Sequence, residues 1–97
     1  MENSMKIEFT KEQFESLITL SLTGNIIINS YRDEDEVISK YDDLVGYILS
    51  CSKEFGLSGM VSFDKENSEF FPSEETQESV IDFIEEYDSN TFTNDLI

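Results

Sequence analysis

The chain has 97 residues, with 22 Asp and Glu against 6 Lys and Arg, a formal net charge of −16. That length suits one domain, and 38% hydrophobic residues, including eight Phe and four Tyr, suffice to fold it despite the self-repulsion. The charge sets aside direct binding to nucleic acid or to an anionic membrane, whose phosphates would repel it.

Residues 1–4 read as a loose end. Residues 5–9 alternate, with Met5, Ile7 and Phe9 on one face, which predicts a short strand. Thr10 and Gln13 have the spacing of a capping box, so a helix should follow over about residues 11–31. Phe14, Leu17, Ile18 and Ser21 share one face of it. Glycine costs about 1 kcal/mol against alanine inside a helix, so Gly24, followed by Asn25, predicts a kink or break. Ile26, Ile27 and Ile28 are β-branched and compatible with a strand, but no turn separates them from what precedes, and the helix reading is preferred.

Asp33, Glu34, Asp35 and Glu36 form an acidic run expected at the start of a second helix, facing the positive end of its dipole. Val37, Tyr41, Leu44, Ile48, Cys51 and Phe55 then recur in steps of four and three, as a buried seam would. Gly56 should cap that helix in a left-handed conformation, with Leu57 packing back on it. The first two helices should pair antiparallel. Residues 60–63 and 69–71 flank a polar stretch, which predicts a hairpin that the first strand could join at its edge. Pro72 ends it, and Ser73 caps a third helix over about residues 74–88. Thr91 could cap a final short turn carrying Phe92, Leu96 and Ile97. The expected fold is α+β, one domain over residues 1–97: three main helices, a small antiparallel β element (hairpin plus N-terminal strand) and a short C-terminal helical turn.

Catalytic chemistry finds few residues here. There is no His, the commonest general base and zinc ligand. The four glycines are scattered and form no phosphate loop. Cys51, the one cysteine, can form no internal disulfide and sits on the expected seam as an inert core thiol. Asp64, Glu66, Ser68 and Glu75 match positions of a calcium loop, but Glu69 stands where that loop needs Gly, and Pro72 lies inside the span. Paired carboxylates can hydrolyse glycosides, yet with so many acids a pair at some spacing is unavoidable. No enzyme activity, cofactor or metal is therefore expected. Residues 1–6 are polar, with no basic stretch leading into an apolar one, so no signal peptide is expected. The longest apolar stretch, residues 17–28, is interrupted by five polar or small residues and is too short for a membrane span. The cytoplasm of a bacterium or of a phage-infected cell is the expected setting.

The third helix carries the sharpest pattern. At about 100° per residue, Glu74, Glu75, Glu78, Asp82, Glu85, Glu86 and Asp88 fall within half the circumference. Val80, Phe83, Ile84 and Tyr87 take the opposite arc. Glu74, Glu78, Asp82 and Glu86 form a row spaced about 6 Å apart. Each like-charge i,i+4 pair costs about 0.2–0.5 kcal/mol, and the helix has no Lys or Arg to offset it. An ordinary solvated face is one explanation, although such faces usually mix both signs. Recognition by a basic partner is the other. Residues 1–32 carry four acids and three bases, net −1; residues 33–97 carry eighteen and three, net −15.

Residues 6–14, Lys-Ile-Glu-Phe-Thr-Lys-Glu-Gln-Phe, and residues 85–92, Glu-Glu-Tyr-Asp-Ser-Asn-Thr-Phe, resemble small uncharacterised acidic proteins of Firmicutes and their prophages. In size, acidity and lack of catalytic residues the chain also resembles anti-CRISPR and other DNA-mimic inhibitors, a likeness of character that assigns no residue a role. The expected function is an acidic inhibitor or regulator that occupies the basic, nucleic-acid-binding surface of another protein. Its contacts would be Glu74, Glu75, Glu78, Asp82, Glu85 and Glu86 with Asp33, Glu34, Asp35 and Glu36. Tyr31, Tyr47, Phe70 and Phe71 are candidate apolar anchors. The alternative is a non-catalytic structural or interaction subunit, as a homodimer for example, with acidity serving solubility.

Overall fold

A computed structural model describes the backbone of residues 3–94 and the side chains of residues 3–89. Three helices, α1 (Lys11–Asn29), α2 (Ser39–Ser50) and α3 (Glu74–Asn94), combine with an antiparallel hairpin of β1 (Val61–Asp64) and β2 (Glu69–Pro72). The fold is α+β.

The helix α1 is the central element, packing against both α2 and α3. Its capping box forms as expected: Thr10 Oγ1 accepts the Gln13 N–H at 3.1 Å, and Gln13 Oε1 accepts the Thr10 N–H at 2.9 Å. Phe14, Ile18 and Leu22, four residues apart, supply its buried ridge. The helix passes through Gly24 and Asn25 unbroken to Asn29. The Ser21 and Thr23 hydroxyls donate to carbonyls of the same helix, those of Ile18 and Thr19, at 3.0 and 2.8 Å. At its end the Arg32 guanidinium donates to the Ile28 carbonyl at 2.8 Å, a cation at the negative pole of the helix.

Asn29 then determines where α2 begins. Its side chain accepts the Ile38 N–H at 2.9 Å and donates to the Ile38 carbonyl at 3.3 Å, holding that backbone extended. The acidic run expected in the first turn of α2 is therefore separate from it. Glu34–Glu36 form a 3-10 turn after Asp33, and Val37 and Ile38 intervene before Ser39. The contact of Asn29 with Ile38 at one end, and of Phe14 stacked on Phe55 at 4.4 Å at the other, makes α1 and α2 antiparallel.

The expected seam of α2 holds only in part. Ile48 is buried, and Cys51 and Phe55 pack against the core, but Val37, Tyr41 and Leu44 are exposed. The buried stripe is Val45, Ile48, Leu49 and Ser52. Val37 lies before α2 begins at Ser39, and Leu44 precedes the buried Val45 by one residue, which turns it about 100° off the packed stripe. After Cys51 the chain tightens into a 3-10 helix, Ser52–Phe55. Gly56 is left-handed at φ 72° and caps that turn, and Leu57 is buried behind it, donating to the Ser52 carbonyl at 2.9 Å.

A further 3-10 turn, Ser58–Met60, leads into the hairpin, whose register pairs Val61 with Pro72 and Asp64 with Glu69. Among the described residues the hairpin pairs only with itself. The strand expected at residues 5–9 does not form: a short strand needs a paired neighbour, Met5 and Ile7 are exposed, and only Phe9 packs, edge-on to Phe14 at 5.9 Å. Ser73 caps α3 as expected, its carbonyl accepting the Gln77 N–H at 2.9 Å. α3 runs past Asp88 to Asn94, so Thr91 lies inside it and does not cap a separate turn. Ser89 and Asn90 are weak helix formers, but no Gly or Pro follows to stop the helix. The side chains of Phe92, Leu96 and Ile97 lie outside the described residues.

The core joins Phe14, Ile18 and Leu22 of α1, Val45, Ile48 and Leu49 of α2, Leu57, and Val80 of α3. Among the described residues no helix is long and apolar enough to cross a membrane.

Candidate acidic docking surface

α3 rests on the core along a narrow line. Thr76 and Val80 are buried and Ile84 is half-buried, at steps of four. Phe83 and Tyr87, expected on the packed arc, are 57% and 60% exposed. The apolar arc is therefore narrower than the sequence pattern.

The opposite face bears the carboxylates. Glu74, Glu75, Glu78, Asp82, Glu85 and Glu86 are all exposed, and each backbone turn brings the row about 6 Å further along the axis. Glu74 and Glu75 lie in the first turn, where the helix dipole favours them; Asp82, Glu85 and Glu86 have no such compensation.

Asp33, Asp35 and Glu36 are drawn together by the 3-10 turn, with carboxylate oxygens within 4.8 Å of one another, and Glu34 is exposed beside them. Exposed acidic groups of this kind are common without an ion, and the cluster by itself points to no metal. The guanidinium of the nearby Arg32 donates to the Ile28 carbonyl and the Tyr31 hydroxyl, at 2.8 and 3.0 Å. The structure thus gathers the first acidic group into a cluster and spreads the second along α3.

The residues resembling a calcium loop form the hairpin turn instead. The Asp64 carboxylate accepts the Asn67 amide at 2.8 Å and the Glu66 N–H at 3.0 Å, and Ser68 takes a left-handed φ of 53° to close the turn. These bonds, the Asn67 side chain foremost, hold Asp64 below the usual carboxylate range. Glu75 belongs to α3. Cys51 is a half-buried free thiol packed against the core.

The anchor candidates divide. Tyr31, Tyr47 and Phe71 are exposed, with the Arg32 guanidinium 4.9 Å from the Tyr31 ring centre. Phe70 packs against the core and lies 4.8 Å from Phe63. Three acidic residues outside the expected set, Asp42, Asp43 and Glu69, converge on one groove between α2 and β2. In sequence Asp42 and Asp43 are only an acidic pair; the interior glycine four residues on, Gly46, is the one local sign that something else happens there.

In comparisons with known proteins, the chain matches no family model, no curated protein and no solved structure.

Proposed function

We propose that this is a non-catalytic cytoplasmic protein that inhibits or regulates another protein by occupying its basic, nucleic-acid-binding surface, in the manner of a DNA mimic. The observation that carries this reading is the exposed single-sign face of α3, with Glu74, Glu78, Asp82 and Glu86 in one row on a helix without Lys or Arg. Folding does not require that row, and its repulsion works against the helix. A surface built to grip phosphates presents cations at comparable intervals, and such complementarity speeds encounter and rejects other partners. The cluster of Asp33, Asp35 and Glu36 adds a second negative patch. The test is capture from bacterial lysate at low and high salt by the wild type and by a variant with Glu74→Gln, Glu78→Gln, Asp82→Asn and Glu86→Gln. A nucleic-acid-binding protein retained by the wild type at low salt, and lost by the variant, is the expected result; equal capture by both would contradict it.

One observation favours a second reading, a homodimeric or other interaction subunit. Leu20 of α1 and Phe83 of α3 are exposed and line a shared groove. In that case the chain would sediment as a dimer at low and high salt alike, and Phe83→Ser would dissociate it.

A further inference from the structure

An open groove of about 560 Å³ runs between the second half of α1, α2 and β2. Its floor is apolar: Leu22, Val45 and Leu49 are buried beneath it, and the exposed Phe71 ring stands at its wall. Its rim is acidic, carrying Asp42, Asp43 and Glu69 and no Lys or Arg. Asp42 is held in position: its Oδ1 accepts the Asn25 amide at 3.2 Å, and Asn25 Oδ1 accepts the Asn29 amide at 2.8 Å. Past Pro72 and Gln77 the groove leads toward Val80 and Ile81 of α3, the helix that bears the acidic row.

Gly46 lies on this groove in the interior of α2, where glycine weakens a helix. A Cβ there would meet nothing within 4 Å, and the residue has no positive φ. Among the described residues, neither packing nor backbone conformation calls for glycine there. At this position a side chain would enter open space beside the groove.

An occupant must suit both halves of the lining. A wholly apolar segment would desolvate three carboxylates without pairing them. A second copy of this chain would bring a net charge of −16 to an acidic rim. A basic segment with one apolar side chain satisfies both, placing the apolar group over Leu22 and Leu49 and its cations against Asp42, Asp43 and Glu69. We infer that the groove docks a basic segment of a partner protein in which one aromatic or large aliphatic side chain is flanked by Lys or Arg. This rests on the proposed function and adds the place where affinity arises: the charged face speeds encounter, and the buried anchor slows release.

The test is an NMR titration of the full chain, labelled with ¹⁵N, against three end-blocked peptides: Lys-Lys-Trp-Lys-Lys, Lys-Lys-Gly-Lys-Lys and Ser-Ser-Trp-Ser-Ser. The first should shift the amides of residues 42–49 and 69–72 and bind about tenfold or more tightly than either of the others. Gly46→Leu fills the groove and should abolish those shifts. Gly24→Ala also removes a helix-interior glycine with open space around it, but off the groove, and should keep them. Equal affinity for the Trp and Gly peptides, or shifts confined to the acidic face of α3, would overturn the groove while leaving the acidic-surface reading intact. Absence of shifts with every peptide at low salt would overturn both. Should Gly46→Leu not fold, the rim variant Asp42→Asn, Asp43→Asn, Glu69→Gln decides: loss of the preference for Lys-Lys-Trp-Lys-Lys supports the site, and its retention overturns it.

Discussion

Leu44 and Leu49 stand on the same helix, one 52% exposed and the other 1%. The seam read from sequence runs through Leu44, whereas the packed stripe runs through Leu49, so substitution separates the two. Leu49→Ala and Ile48→Ala should each cost about 2–5 kcal/mol, and Leu44→Ala less than about 1 kcal/mol, by urea denaturation. A reversed order would restore the sequence-derived seam. At Asp64 the effect is on titration. Its folded pKa is depressed by the Asn67 and Glu66 hydrogen bonds, so its contribution to stability is present above the ordinary carboxylate pKa and is lost as pH falls through the lower folded value. Carboxyl NMR should show Asp64 titrating below the ordinary carboxylate value, and Asn67→Ala should return it toward that value. An unchanged midpoint in Asn67→Ala would remove the Asn67 bond as the cause.

Elements whose signals are local were legible in the chain: the Thr10 and Gln13 box, the Gly56 cap with Leu57, the hairpin and the Ser73 cap all form within a few residues of their signatures. What was not legible depends on distant partners. Alternation at Met5, Ile7 and Phe9 implies a strand, but it cannot supply the neighbour that a strand requires. Nor does periodicity alone reveal that Asn29 delays α2 to Ser39 and so leaves Val37 ahead of the helix. On α3 the charge pattern was plain in sequence, and the structure exposes all of it; the width of the apolar contact was overestimated, since Phe83 and Tyr87 remain outside. The groove draws on residues from α1, α2 and β2, and only the fold assembles it. For α3 itself, replacing Glu74, Glu78 and Glu86 by Gln and Asp82 by Asn should leave the circular dichroism spectrum unchanged. Because three repulsive pairs disappear, stability should rise by a few tenths to about 1 kcal/mol. A loss of stability would mean that the carboxylates support the helix.

The whole molecule carries 22 acids on 97 residues, with a net charge of −16 concentrated after Arg32. Self-repulsion of that size opposes compaction, and salt screens it over about 10 Å at 0.1 M. The melting temperature should therefore climb between low salt and about 0.5 M NaCl; a flat or falling profile would mean that the carboxylates are already compensated within the fold. Binding should respond in the opposite sense, since the same ions screen the attraction to a basic partner. Stability gained and association lost over one salt series is the signature expected of charge directed at a partner. The most direct measurement is the association rate of the captured partner with the wild type and with the α3 variant lacking four charges, at two salt concentrations. The account predicts association slowed by about tenfold or more in the variant at low salt, with a shallower salt dependence and an intact fold. Identical rates and identical salt slopes for the two proteins would contradict it and return α3 to an ordinary solvated face.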